Sequence, residues 1–322
     1  MNIVSATRVP AREAPLRGYV IVLGGTVIWA LTGIVIKILL TRYGMDPLTL
    51  AFWRVFFVTL FLFVGLVTLN AGYFRIAPRD LVIFVFYGLI GVALHQLVWI
   101  TSVQYNGAAV ATVIIYTSPA IVAVFAWRFL HESIDRTKLI ALALTVLGCA
   151  LVARAYDPAQ IQLNAIGLAA GVGSAFTFGT YSLLGRVATR RYSAWTSIFY
   201  AFLFGTLFLT PLGLIARDFV PLGLSLDGWS TLLFLALIPT LGGFAAYTIG
   251  LSHLPASVAS ILAAFEPVTT AIVAYFMFAE VLAPLQLLGA ALILLSVFML
   301  RPRNGASEKR TLEKGLESGS GE

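Results

Sequence analysis

The stretch GAAVATVIIYTSPAIVAVFAWRFLHE, residues 107–132, lies over PASVASILAAFEPVTTAIVAYFMFAE, residues 255–280, without a gap when the chain is slid against itself by 148 residues. The offset pairs Ala108 with Ala256, Val110 with Val258, Ala111 with Ala259, Pro119 with Pro267 and Glu132 with Glu280. It continues through Leu139, Leu144 and Leu147 over Leu287, Leu292 and Leu295. Shared apolar composition would give scattered coincidences. Aligned prolines and helix-end glutamates mark an internal repeat. The same offset sets Gly25 over Gly173, Thr41-Arg42 over Thr189-Arg190, and Trp99 over Tyr247.

Both copies sit in strongly apolar sequence. Of 322 residues, 60% are hydrophobic and only 11% charged, and the mean hydropathy is +0.95, which excludes an ordinary soluble domain. Runs of about 20 residues, enough to cross a hydrocarbon core of roughly 30 Å, recur at 18–40, 47–69, 80–104, 107–128, 137–154, 164–187, 194–216, 228–252, 255–278 and 283–300. They are continuous and about twice the length of a barrel strand, so they read as helices. Turn chemistry such as YGMDP and YDPAQIQLN marks the short joins. The expected fold class is all-α integral membrane, with ten transmembrane helices in two inverted five-helix repeats: an odd number of spans per repeat forces the second to enter the membrane upside down. The expected organisation is a cytoplasmic segment over 1–17, repeats over 18–155 and 164–300, and a basic tail over 301–322 ending in GLESGSGE, which reads as an appended linker.

The net charge of +7 does not point to nucleic acid, because the basic residues segregate by helix end. With the N-terminus inside, the inner side receives Arg8, Arg12, Arg17, Arg75, Arg79, Arg128, Arg136, Lys138, Arg186, Arg190, Arg191 and the basic tail. The outer loops receive Arg42, Arg154 and Arg217. The positive-inside rule then places both termini in the cytoplasm of a multi-pass protein of a bacterial inner membrane. The first apolar run is longer than a signal-peptide core and lacks a clear cleavage site, so it is expected to be retained. Cys149 is the single cysteine, which rules out an intrachain disulfide and leaves burial as its simplest role.

The segment EPVTTAIVAYFMFAEVLAPLQLLGAALILLSV and its counterpart SPAIVAVFAWRFLHESIDRTKLIALALTVLG resemble the repeats of EamA-type members of the drug/metabolite transporter superfamily. The arginine in AFWRVFFVTLFLF is similar to that family's pattern. The resemblance spans about residues 18–300. It implies two inverted five-helix repeats, with spans one to four and six to nine around a central cavity, and movement of small metabolites, amino acids among them. Ser118 stands where the second repeat has Glu266, so the halves differ chemically.

Several residues are expected to carry that chemistry. A carboxylate at mid-bilayer costs about 2.5–3.5 kcal/mol on insertion scales, so Glu266 should face a cavity, find a cation or be protonated. It could couple protons, bind a substrate amine, or cap and pack its helix. Pro119 and Pro267 remove backbone donors and are expected to bend spans four and nine. Arg54 lies roughly 10 Å below the outer end by helical rise, where it could snorkel, reach toward Glu266 or meet a substrate carboxylate. Lys37 is the better snorkelling anchor. His95, Gln96, Trp99, Trp29, Tyr116, Tyr181 and Tyr247 could wall a site for a small amphiphile, although packing accounts for any single aromatic. Glu132, Glu280, His131 and His253 lie near helix ends, where capping is the simpler account.

No GK[ST] phosphate loop, HExxH or cysteine–histidine cluster is present in the sequence, so ATP hydrolysis and zinc chemistry lack their groups, and neither a cofactor nor a metal is expected. The residues point to a secondary transporter, not an enzyme, that moves a small organic metabolite, best an amino acid or similar amphiphile, by alternating access. Export follows from the resemblance alone. The expected partners are the substrate, the lipid bilayer and a possible coupling proton, with no nucleic acid and no obligatory protein partner. Two other readings stay open: uptake of a quaternary amine or other cation in an aromatic cage with Glu266 as counter-ion, and, of another class, an intramembrane enzyme or lipid scramblase.

Overall fold

The computed structural model describes residues 14–158, 164–215, 223–278 and 282–300, which form helices and no strands. In chain order they are α1 (Ala14–Trp29), α2 (Leu31–Thr41), α3 (Pro47–Leu69), α4 (Leu81–Gly88), α5 (His95–Ile115), α6 (Ser118–Leu130), α7 (Arg136–Val152), α8 (Ala165–Thr189), α9 (Ala194–Ile215), α10 (Leu226–Leu235), α11 (Gly243–His253), α12 (Ala256–Ala263), α13 (Glu266–Phe278) and α14 (Pro284–Met299). Glu280, Arg217 and the basic residues beyond Leu300 lie outside the described residues.

Seven helical runs among the described residues are long and apolar enough to cross a membrane: Leu16–Thr41, Pro47–Leu69, Pro78–Asn106, Val110–Leu130, Ala194–Leu214, Leu226–His253 and Ala256–Val273. The sequence pattern predicts ten spans. The other three coincide with α7 and α14, of 17 and 16 residues, shorter than the roughly 20 that a bilayer asks for, and with α8, which is long enough but rich in Gly, Ser and Thr.

Helix starts follow the chemistry of their surroundings. Those that begin at loops carry side-chain caps: Asp46 accepts from Leu48 and Thr49 N–H, Asp135 from Lys138 N–H, Asn164 from Ile166 and Gly167 N–H, and Ser225 from Gly228 N–H. Helices that resume inside the apolar layer, such as α2, α5, α6 and α11, have no such cap.

The repeat reappears as matched irregularities. A π-helical turn over Leu89–Leu94 joins α4 to α5, and another over Ala236–Gly242 joins α10 to α11; the 148-residue offset carries 89–94 onto 237–242. The helices break again at Tyr116-Thr117 and at Ala264-Phe265, also 148 residues apart. Pro119 and Pro267 each fall in the first turn of the helix that resumes, α6 and α13, where a missing N–H costs nothing. The Cys149 thiol, buried as a packing group, lies 3.8 Å from the Ala264 carbonyl at the second break.

Ser102 and Ile114 both lie within 3 Å of where a Cβ on Gly171 would stand. On a straight helix they would be about 18 Å apart, so the chain doubles back between them and both limbs pack on α8. Across the molecule, elements of the two halves pair with one another: α5 with α8, α1 with α11, α3 with α9, and α7 with α14. These seams bury small or hydroxyl side chains, as membrane interfaces do. Thr59 and Thr206 bond at 2.8 Å across α3 and α9, and Thr145 and Ser296 at 2.8 Å across α7 and α14.

Candidate functional site

A narrow cleft with an almost wholly apolar surface lies among α2, α3 and α5, near the end that carries residues 42–47. Ile36 and Leu40 of α2 line it, with Pro47, Leu50, Ala51 and Arg54 of α3 and Gln96, Trp99, Ile100, Val103 and Gln104 of α5. Three of the residues singled out in the sequence, Arg54, Gln96 and Trp99, thus meet in one cavity.

Arg54 is 6% exposed. Its Nε donates to Thr240 Oγ1 at 2.8 Å, and that hydroxyl donates to the Leu235 carbonyl at 2.7 Å. The guanidinium, which belongs to the first half, is therefore oriented by the π-helical turn of the second. Its terminal amino groups have no hydrogen-bond partner among the described residues. Glu266 acts on Arg54 electrostatically, yet the two form no ion pair within 4.0 Å. The nearer partner of Glu266 is the Tyr116 hydroxyl, and both stand beside the break before α13, away from the cleft lining.

Beneath the cleft, His95 Nδ1 lies 3.0 Å from Thr177 Oγ1 on α8, and its ring centroid 5.9 Å from that of Phe178. Next comes an aromatic layer. Trp29 packs against Phe244 at 5.0 Å and Tyr247 at 5.4 Å, and Phe178 against Tyr247 at 5.6 Å. Tyr181 packs against Phe244 at 5.2 Å. The Tyr181 hydroxyl pairs with Thr248 at 3.0 Å and that of Tyr247 with Ser182 at 2.7 Å. Trp29, Tyr181 and Tyr247 are buried and lie outside the cleft lining; here they close the core.

The opposite end is closed by polar contacts between the halves. Asp80 receives Arg191 Nη1 at 2.5 Å and the Tyr192 hydroxyl at 2.7 Å. Thr196 and Tyr200 donate to the carbonyls of Tyr73 and Phe74 at 2.9 and 2.8 Å. Glu132 clasps the start of α12 through the N–H groups of Ala256 and Ser257 and the Ser257 hydroxyl. His131 ends α6 in a left-handed conformation, and His253 Nδ1 lies 2.8 Å from the Ile249 carbonyl. Both belong to helix ends. Lys37 is exposed and stands outside the cleft lining.

Sequence reasoning missed Thr240, Gln104 and the Asp80 cluster. Thr240 follows Pro239 in LIPTLGG, a weak signal for a helix irregularity; nothing local links it to Arg54, 186 residues away.

The model of the EamA-like transporter family matches this chain twice, over residues 16–154 and 165–301. The chain belongs to that family. It is a multi-pass membrane transporter, not an enzyme. Among its relatives is a probable terminal-alkyne amino-acid exporter of Streptantibioticus cattleyicolor, 26% identical over 86% of this chain and 91% of that protein. Others are the uncharacterized transporter YwfM of Bacillus subtilis, 29% identical over 67% and 72%, and the uncharacterized inner membrane transporter YicL of Salmonella typhimurium, 24% identical over 88% and 95%. A solved crystal structure superposes on this EamA-like chain with a TM-score of 0.75 at 14% identity, covering 90% of this chain and 96% of that one. The two share a fold.

Proposed function

We propose that this protein is a secondary transporter that carries a small organic amphiphile, an amino acid or close analogue, across the bacterial inner membrane by alternating access. The observation that carries the reading is the contrast between the two ends: a cleft reaches the buried Arg54 from one, while cross-half hydrogen bonds and an aromatic layer block the other. A cavity open to one side only is what one state of such a cycle requires. Ten spans in two inverted halves fit the matched breaks and the pairing of elements across the halves. Arg75, Arg79, Arg128, Arg136, Lys138, Arg190 and Arg191 crowd the sealed end, whereas among the described residues Arg42 and Arg154 are the loop cations at the other. The sealed end and both termini are thus assigned to the cytoplasm. Export rests on the Streptantibioticus relative's name.

The cation-cage reading gains less support, because among the described residues lining the cleft Trp99 is the one aromatic and none is a carboxylate. The test is uptake of labelled amino acids and quaternary amines into proteoliposomes of the full chain under imposed pH gradients, with Glu266→Gln beside wild type. Transport of one class by wild type that loses its pH response in Glu266→Gln assigns proton coupling to Glu266. Transport of neither class by wild type rejects the function.

A further inference from the structure

We propose that two Arg-Tyr/Asp clusters, one at each end of the bundle, are paired latches of the transport cycle, each of which parts when its own end opens. This rests on the reading of the protein as an alternating-access transporter and assigns the contacts that gate its two ends. At one end the Tyr43 hydroxyl donates to Asp227, and Arg42 Nη2 lies 3.7 Å from the same carboxylate. At the other, Asp80 accepts from the Tyr192 hydroxyl at 2.7 Å and from Arg191 Nη1 at 2.5 Å. The 23-residue α3 runs between the two ends, a rise of roughly 35 Å.

Both clusters are built from the same places in the two halves. Arg42 closes α2, and Arg191-Tyr192 follow the end of α8. Asp80 directly precedes α4, and Asp227 lies in the first turn of α10. Arg191 and Tyr192 stand 149 residues after Arg42 and Tyr43, and Asp227 stands 147 after Asp80; each falls within one residue of the repeat offset. The tyrosine rings dock alike. Tyr192 packs on Phe84 of α4 with 5.5 Å between centroids, and Tyr43 Cδ1 lies 3.1 Å from where a Cβ on Gly228 of α10 would stand. Each cluster crosses the halves, in opposite senses: the first half supplies the Arg-Tyr pair of one and the aspartate of the other.

Inverted halves that exchange conformations exchange the surroundings of their two ends. A contact between the halves that closes one end therefore needs a counterpart at the other, and these clusters are such a pair. They differ in solvation: the Asp80 side chain is buried and that of Asp227 exposed. Water and salt compete with the exposed latch, so it contributes less to closure than the buried one.

The experiment measures the ratio of maleimide labelling rates at Trp99→Cys and Tyr247→Cys, each made the single cysteine of the full chain by Cys149→Ala and studied in lipid nanodiscs. Tyr43→Phe and Tyr192→Phe each remove one hydroxyl and keep the ring in its packing. Tyr43→Phe is expected to raise the ratio about threefold, and Tyr192→Phe to lower it about tenfold. The latches are far apart, so the double variant should show the product of the two factors. A ratio that neither variant moves, that both move in the same direction, or that departs from the product in the double variant overturns the latches. Glu132→Ala, which belongs to neither cluster, separates this outcome from failure of the underlying reading. If it lowers the ratio while the tyrosine variants leave it unchanged, alternating access stands and the latches are rejected. If none of the three moves the ratio, both fall.

Discussion

Glu132, just past the end of α6 in one half, receives three hydrogen bonds from Ala256 and Ser257, at the start of α12 in the other: Ala256 N–H at 2.8 Å, Ser257 N–H at 3.2 Å and the Ser257 hydroxyl at 2.6 Å. A carboxylate across a helix N-terminus satisfies orphan backbone donors and sits in a favourable dipole field. The opposite end is also bridged between the halves: the Gln286 amide donates to the Val152 carbonyl at 2.9 Å and the Tyr43 hydroxyl to Asp227. There Arg42 and Asp227 lie 3.7 Å apart with side chains 71% and 66% exposed, a pair that solvent largely screens.

Glu132→Ala is expected to loosen the sealed end. Hydrogen bonds to a charged group contribute about 2 kcal/mol net, which corresponds to roughly a thirtyfold shift in an equilibrium between closed and open states. In a Cys149→Ala background, a cysteine at Val258 should react with a water-soluble maleimide many times faster once Glu132 is removed. Equal rates would mean that the clasp does not hold the seal.

The Asp80 cluster makes a prediction about which partner matters. The Arg191 side chain is 55% exposed, whereas that of Asp80 is 7% exposed. Tyr192 donates to Asp80 and accepts from the Ala77 N–H at 3.0 Å. Tyr192→Phe should therefore lower the melting temperature more than Arg191→Gln, and only the arginine's contribution should fade as salt is raised. The reverse order in thermal melts would place the stability in the ion pair.

Gly148 sits where α7 and α14 touch. A Cβ there would stand 2.7 Å from the Gly289 carbonyl and from Ile293, closer than atoms approach. Gly148→Ala should destabilise the protein by about 1–3 kcal/mol through overpacking, read as a lower melting temperature in detergent. Gly24→Ala, inside α1 and meeting nothing within 4 Å, serves as the control that should hold or slightly raise it, since alanine favours a helix interior over glycine.

Trp99 and Tyr247 are mates under the repeat, yet they stand in opposite surroundings: Trp99 lines the open cleft, and Tyr247 is buried in the aromatic layer. If the halves exchange conformations, the other state should expose position 247 and cover position 99. Single cysteines at these positions should show protection that inverts when Glu132→Ala shifts the population. Protection that moves in the same direction at both positions would exclude the exchange.

The helical membrane class and the two-fold repetition are legible in the sequence, because apolar run length and a gapless 148-residue match depend on composition and order alone. Pro119 and Pro267 fixed where α6 and α13 resume, since a residue without an N–H is tolerated in a first turn. The sequence likewise drew attention to Arg54 and Glu266, as charges are rare in such segments. Packing alone sets the rest: these two do not pair directly, Thr240 orients Arg54 from the other half, and Trp29, Tyr181 and Tyr247 are closed into the core while Trp99 is left to line the cleft. Those outcomes depend on which helix faces which across hundreds of residues and on which end of the bundle is shut, and no local pattern records either. A hydroxyl such as Thr240 looks the same in sequence whether it bonds its own helix or fixes a guanidinium; the packing of α3 against the second π-helical turn makes it do both.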